Sequence, residues 1–118
     1  MPAVAARRVV LPDRVVVDAA VEVDDSGVVV AVRPAAGPIA HHTLVPGLVD
    51  LQVNGHDDVD VADAEGASWD RLDALLLAQG VTAWCPTLVT RPLDDYAAPL
   101  ARVAAAAAKL GWESSETD

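Results

Sequence analysis

The sequence changes texture at Pro46-Gly47, and that break limits the folds open to it. Upstream, the chain reads as short strands from Arg7 to Arg33. Val15, Val17, Ala19, Val21 and Val23 fall on one face of an extended segment; Arg14, Asp18, Glu22 and Asp24 fall on the other, with Val16 and Ala20 among them. Strand side chains alternate between faces, so this period-2 pattern predicts a half-buried antiparallel strand. Asp25-Ser26-Gly27 supplies a turn, because Gly27 can take positive φ, and Val28 to Val32 returns as the hairpin partner. Pro34 to Pro38 is a loop.

Downstream, Leu48 to Val53 reads as a parallel strand covered on both sides. An acidic loop follows from Gly55 to Gly66, with Asp57, Asp58, Asp60, Asp63 and Glu65. Ser68 is expected to cap a helix carrying Trp69, Leu72, Leu75, Leu76 and Gln79, with Asp70 in its first turn and Gly80 at its end. Val81 to Cys85 is a second strand. A second helix runs from about Pro92 or Leu93 to Leu110, where Pro99 should kink it or delay its start. The order is strand hairpins, then β-α-β-α, so the fold class is α/β with right-handed crossovers. Three parts follow: strand hairpins over residues 1–46, too few to close a β-sandwich, the opening of a β/α domain over 47–110, and a polar tail over 111–118. Two parallel strands cannot complete such a sheet, and a full α/β barrel takes roughly 250 residues. The expectation is a chain that begins a larger architecture.

The 118 residues carry a net charge of −10, from 18 acidic and 8 basic side chains. Nucleic-acid and anionic-membrane binders need Lys and Arg patches, so neither partner is expected. A single cysteine, Cys85, excludes an internal disulfide and fits a reducing cytoplasm. The N-terminus has no apolar segment of secretory-leader length, and no run approaches the roughly 20 residues that span a bilayer. Cys85, Trp69 and Trp84 are expected in the core.

Chemistry concentrates in Leu44–Gly55. Asp50, Gln52 and Asn54 alternate with Val49, Leu51 and Val53, so three polar groups share one strand face. A buried polar side chain without a partner costs about 1–3 kcal/mol, so such a row favours a site over a plain core strand. Gly55 lets another group approach the backbone closely. Asp50 has two readings of equal weight, a structural hydrogen-bonding role and support of a catalytic neighbour. His56 lies just past the row, with a substrate-side position as the alternative to a solvated one. His41-His42 looks like a metal pair, but adjacent residues of an extended segment point to opposite faces, which favours a surface loop.

The block Val45-Pro46-Gly47-Leu48-Val49-Asp50-Leu51-Gln52-Val53-Asn54-Gly55 resembles the first barrel strand of the amidohydrolase superfamily. Most members read P-G-x-x-D-x-H-x-H there, and the two histidines bind metal. Gln52 and Asn54 stand in those positions, which is similar to the single-metal N-acetylglucosamine-6-phosphate deacetylase branch, with Q-x-N-G. Gly80-Val81-Thr82-Ala83-Trp84-Cys85-Pro86-Thr87-Leu88-Val89-Thr90 resembles the second strand of that branch.

The resemblance implies a small β-sandwich followed by the first two β/α units of a TIM-like (β/α)8 barrel. It implies metal-dependent hydrolysis of an acetamide, giving glucosamine 6-phosphate and acetate, in a cytoplasmic homo-oligomer. Gln52 and Asn54, with Asp50 and His56, would line the active site. Amide oxygens are weak zinc ligands, so the replacement removes one metal position. In the family one divalent, zinc-like metal is held by a glutamate and two histidines on later strands, the glutamate within H-x-E-G-P, and a later aspartate is the general base. Glu113 and Glu116 match no part of that motif. No metal ligand and no catalytic residue is therefore carried over. The chain alone is expected to bind no metal and to be inactive. Two rival readings are a non-catalytic chain that binds a complementing barrel piece, and a small metalloprotein using His41, His42, His56 and the aspartates.

Overall fold

The computed structural model describes residues 2–39 and 41–110; the expected polar tail, residues 111–118, lies outside the described residues. The chain divides into two compact units, Met1–Pro46 and Gly47–Asp118.

The first unit is a four-stranded sheet in the order β3-β2-β1-β4. Its strands are β1 (Ala3–Val10), β2 (Val15–Val23), β3 (Val29–Pro34) and β4 (Thr43–Leu44). β1 to β3 form an antiparallel meander, and β4 pairs in parallel with β1. The β2–β3 turn forms as predicted. Gly27 sits at φ +86°, and Asp24 Oδ1 accepts hydrogen bonds from the Ser26 amide and hydroxyl and the Val28 amide. These bonds, led by the Ser26 hydroxyl, hold the Asp24 carboxyl below its ordinary pKa.

The predicted alternation on β2 survives only in its second half. Ala19 and Val21 are buried, but Val15 and Val17 are exposed, and Val16 packs on the core instead. The cause is Asp18, whose φ of +52° rolls the strand. Its carbonyl accepts a hydrogen bond from the Ala35 amide at 2.8 Å. β1 rolls with it. Ala6 and Val9 are both buried although three residues apart, opposite Ala19 and Val16.

The second unit pairs two parallel strands, β5 (Leu48–Val53) and β8 (Val81–Pro86). Between them lie a short antiparallel hairpin, β6 (Gly55–His56) and β7 (Val59–Asp60), and helix α1 (Ala67–Leu77). A 3-10 turn (Leu93–Asp95) precedes helix α2 (Ala97–Leu110). Pro99 therefore lies in the first turn of α2, where backbone amides have no intrahelical acceptor, and it delays the helix rather than kinking it. The core gathers Val53, Val59, Val61, Ala64, Trp69, Leu72, Leu76 and Val81, with Trp84 packed against it. Trp69 stacks on Trp84 with ring centroids 6.3 Å apart. Gly80 follows α1 at φ +85°, as the helix stop requires.

Four expectations are corrected. β5 is not covered on both sides: Leu48, Val49 and Leu51 are 57%, 64% and 75% exposed, because a two-stranded sheet leaves no neighbour to cover them. Cys85 is exposed for the same reason, on the partner strand β8. The acidic loop is partly ordered as the β6–β7 hairpin, whose Asp57-Asp58 turn places Asp57 at φ +54°. Ser68 does not cap α1; Gly66 holds the N-cap position, with no side-chain cap.

Candidate active site

β5 delivers the polar row to the start of the hairpin. Asp50 is half-buried, and its Oδ1 accepts a hydrogen bond from the Gln52 amide at 3.0 Å. That local bond coincides with a register shift against β8 between Asp50 and Val53. Asp50 thus shapes the backbone that carries Gln52 and Asn54. Gln52 is exposed and Asn54 is half-buried. Among the described residues, neither side-chain amide has a hydrogen-bond partner.

Backbone contacts lock the position of Asn54. Its carbonyl accepts from the Val61 amide at 2.8 Å, and the Thr87 amide donates to the Val53 carbonyl at 2.8 Å. Gly55 is required by crowding: a Cβ there would lie 2.3 Å from the Val59 carbonyl oxygen. A shallow concavity of about 510 Å³ runs from Asn54 along the hairpin, lined by His56, Asp57, Asp58 and Asp60.

Helix α1 and the turn that follows it hold this hairpin at two points. Arg71 donates to Asp58 Oδ1 at 2.6 Å and to Asp57 Oδ2 at 3.3 Å. The Arg71 hydrogen bond holds the Asp58 carboxyl below its ordinary pKa and raises that of the guanidinium. Gln79 Nε2 lies 2.7 Å from His56 Nε2, a hydrogen bond whose direction follows the histidine tautomer. Sequence reasoning missed both Arg71 and Gln79. Their partners lie more than a dozen residues away, and no spacing rule links a helix face to a turn that it does not adjoin in sequence.

The structure thus brings Asn54 and His56 to one concavity, while Asp50 acts on backbone next to it and Gln52 stands exposed. His41 and His42 lie in the first unit and are exposed. Among the described residues, no group of three or more His, Cys, Asp or Glu side chains is gathered closely enough to hold a metal ion. No described helix is long and apolar enough to cross a membrane.

No family profile matches the chain. Individual proteins do. An N-acetylglucosamine-6-phosphate deacetylase of Vibrio furnissii is 36% identical over 94 residues, covering 74% of this chain and 24% of that protein. The chain is a relative of the N-acetylglucosamine-6-phosphate deacetylases. An N-acetylgalactosamine-6-phosphate deacetylase of Escherichia coli O157:H7 is 35% identical over 81 residues, covering 66% of the chain and 22% of that protein. The crystal structure of an N-acetyl-D-glucosamine-6-phosphate deacetylase from Mycobacterium smegmatis superposes with a TM-score of 0.76 at 24% identity, over 92% of this chain and 33% of that one. That likeness shows that the α/β fold is shared with a deacetylase. The chain spans about a quarter of the length of these curated deacetylases.

Proposed function

We propose that this chain is the N-terminal portion of a metal-dependent N-acetylglucosamine-6-phosphate deacetylase of the amidohydrolase type. Its second unit is the opening of a TIM-like barrel, and Gln52 and Asn54, with Asp50 and His56, line the active site. The reaction is hydrolysis of the sugar's acetamide. Water adds to the carbonyl carbon, the carbon–nitrogen bond breaks, and the amine takes up a proton, leaving glucosamine 6-phosphate and acetate. The observation that carries this reading is the Gln52-x-Asn54-Gly55 strand end, with both amides unpartnered among the described residues, in a relative of deacetylases.

The residues described here do not make a metal site, since Gln52 and Asn54 offer only amide oxygens and no ligand cluster surrounds them. In this reading a metal would be held by residues other than these, and no step through it is assigned to Gln52 or Asn54. The part played by Gln52 and Asn54 is to hydrogen-bond water, substrate or the ligands of such a metal. In this reading the chain alone releases no acetate, the parent enzyme is a cytoplasmic homo-oligomer, and neither nucleic acid nor membrane is a partner. The galactosamine relative keeps the sugar's epimer open within the same chemistry.

A second reading is favoured by the exposed apolar residues of β5, Leu48, Val49 and Leu51. It makes the chain a non-catalytic fragment that binds a complementing barrel piece. Incubating the purified chain with N-acetylglucosamine 6-phosphate and zinc tests the first reading. No acetate release is expected; release that a chelator abolishes would contradict it.

A further inference from the structure

The first unit carries a basic concavity that the deacetylase reading does not use. It encloses about 440 Å³ and is lined by Arg7, Arg8, Val17, His41, His42 and Thr43. The roll of the sheet creates it. In a regular strand Arg7 and Arg8 would point to opposite faces. Here Ala6 and Val9 are both buried, so the two arginines between them are both turned outward and both line the hollow. The same roll, made by Asp18 at φ +52°, turns Val17 outward on the neighbouring strand. β4 then closes the other side, because the Arg8 amide donates to the His42 carbonyl at 3.3 Å and Arg8 is in register with Thr43.

Of the two guanidiniums, Arg7 is paired with a carboxylate, and among the described residues Arg8 is not. Arg7 Nη1 spans both oxygens of Asp18, at 3.0 and 3.2 Å. Arg8 spends Nε on the Thr43 hydroxyl at 3.2 Å. Among the described residues it has no carboxylate partner, in a chain with 18 acidic side chains. That anchor leaves its two terminal NH₂ groups as an open fork, the geometry that pairs with phosphoryl oxygens. Arg7, His41 and His42 line the same hollow.

We propose that this concavity is a binding site for a phosphoryl oxyanion, with Arg8 as the bidentate contact and Arg7, His41 and His42 around it. The site belongs to the first unit and stands independently of the deacetylase assignment.

The test is an NMR titration of the full chain with inorganic phosphate at fixed pH and ionic strength, with chloride as the balancing salt. Glycerol phosphate forms a second arm. Saturable shifts at the amides of Arg7, Arg8, His42 and Thr43, with a Kd below about 10 mM, are expected. Saturation by inorganic phosphate alone would assign the free ion, and tighter binding of the ester would assign a phosphate monoester. Arg8→Ala should weaken binding about tenfold. Arg14→Ala, an exposed arginine outside the hollow, should leave it unchanged and controls for net charge. Shifts that do not saturate, or that both variants weaken equally, would overturn the proposal. Because Arg8 is exposed, its variant should retain the amide spectrum; His42→Ala provides a second variant with the same expected direction.

Discussion

Replacing Gly55 by alanine tests the physical account of the hairpin beside Asn54. The added Cβ would lie 2.3 Å from the Val59 carbonyl oxygen and 3.0 Å from the Asp60 Cα, where ordinary contact begins at 3.4 Å. Both neighbours are backbone, so no side chain can rotate away. The hairpin must open by about 1 Å. Yet Gly55 is paired with Asp60, and the Val61 amide is bonded to the Asn54 carbonyl. Val59 and Val61 are core residues, so the movement disturbs packing as well as pairing. Overpacking of this kind costs about 1–3 kcal/mol, and backbone strain at φ +156° adds to it, for a total of about 3 kcal/mol. Urea denaturation followed by tryptophan fluorescence reads the effect. Trp69 and Trp84 both pack in or against the core of the second unit, so they report on it. Gly80→Ala is the control: it has φ +85° but open space around the added Cβ, so only strain of about 1–2 kcal/mol is expected. If Gly55→Ala costs no more than Gly80→Ala, the crowding argument is wrong.

Four further outcomes are expected. Leu72→Ala, at a fully buried core position, should lower the stability of the second unit by about 2–5 kcal/mol in the same assay. Gly47→Ala should disrupt the β5–β8 pairing, since its Cβ would meet the Thr82 Cβ at 2.6 Å, and adding Thr82→Gly should restore part of the loss. Arg71→Ala should return the Asp58 carboxyl toward its ordinary pKa, measured by side-chain NMR titration. Because the folded pKa of Asp58 is lowered, its contribution to stability is present above the unfolded pKa and is lost as pH falls through the folded one; the variant should lack that acid-side dependence. Ser26→Ala should raise the Asp24 pKa in the same direction, since the hydroxyl bond is the largest cause of its depression.

The hydrophobic period carried much of the fold. Trp69, Leu72 and Leu76 are buried on α1 as their spacing predicts, and the Asp24–Gly27 turn follows from its residue types. Failures occurred where tertiary geometry overrides period. Asp18 adopts a conformation that its own residue type only tolerates, and no pattern in β2 marks the roll. The two-residue strand β4 is too short to show a period at all. The exposure of Cys85 and of β5 depends on which neighbours are present, and residue type does not encode that. At the candidate site, the polar row was legible because Asp50, Gln52 and Asn54 interrupt apolar residues. The Arg71 and Gln79 anchors were not, because they reach the hairpin only after α1 packs.

The central claim is that this chain supplies a barrel opening whose Gln52 and Asn54 face the deacetylase reaction. A chimera tests it most directly, with residues 1–110 of this chain replacing the matching segment of the Vibrio furnissii deacetylase. Acetate release from N-acetylglucosamine 6-phosphate is measured for the chimera and for its Asn54→Ala form. The account predicts that the folded chimera releases acetate and that Asn54→Ala lowers the rate at least about tenfold, the loss of a hydrogen bond that strengthens in the transition state. A chimera that folds and retains metal but releases no acetate, or one whose rate is indifferent to Asn54→Ala, would contradict it.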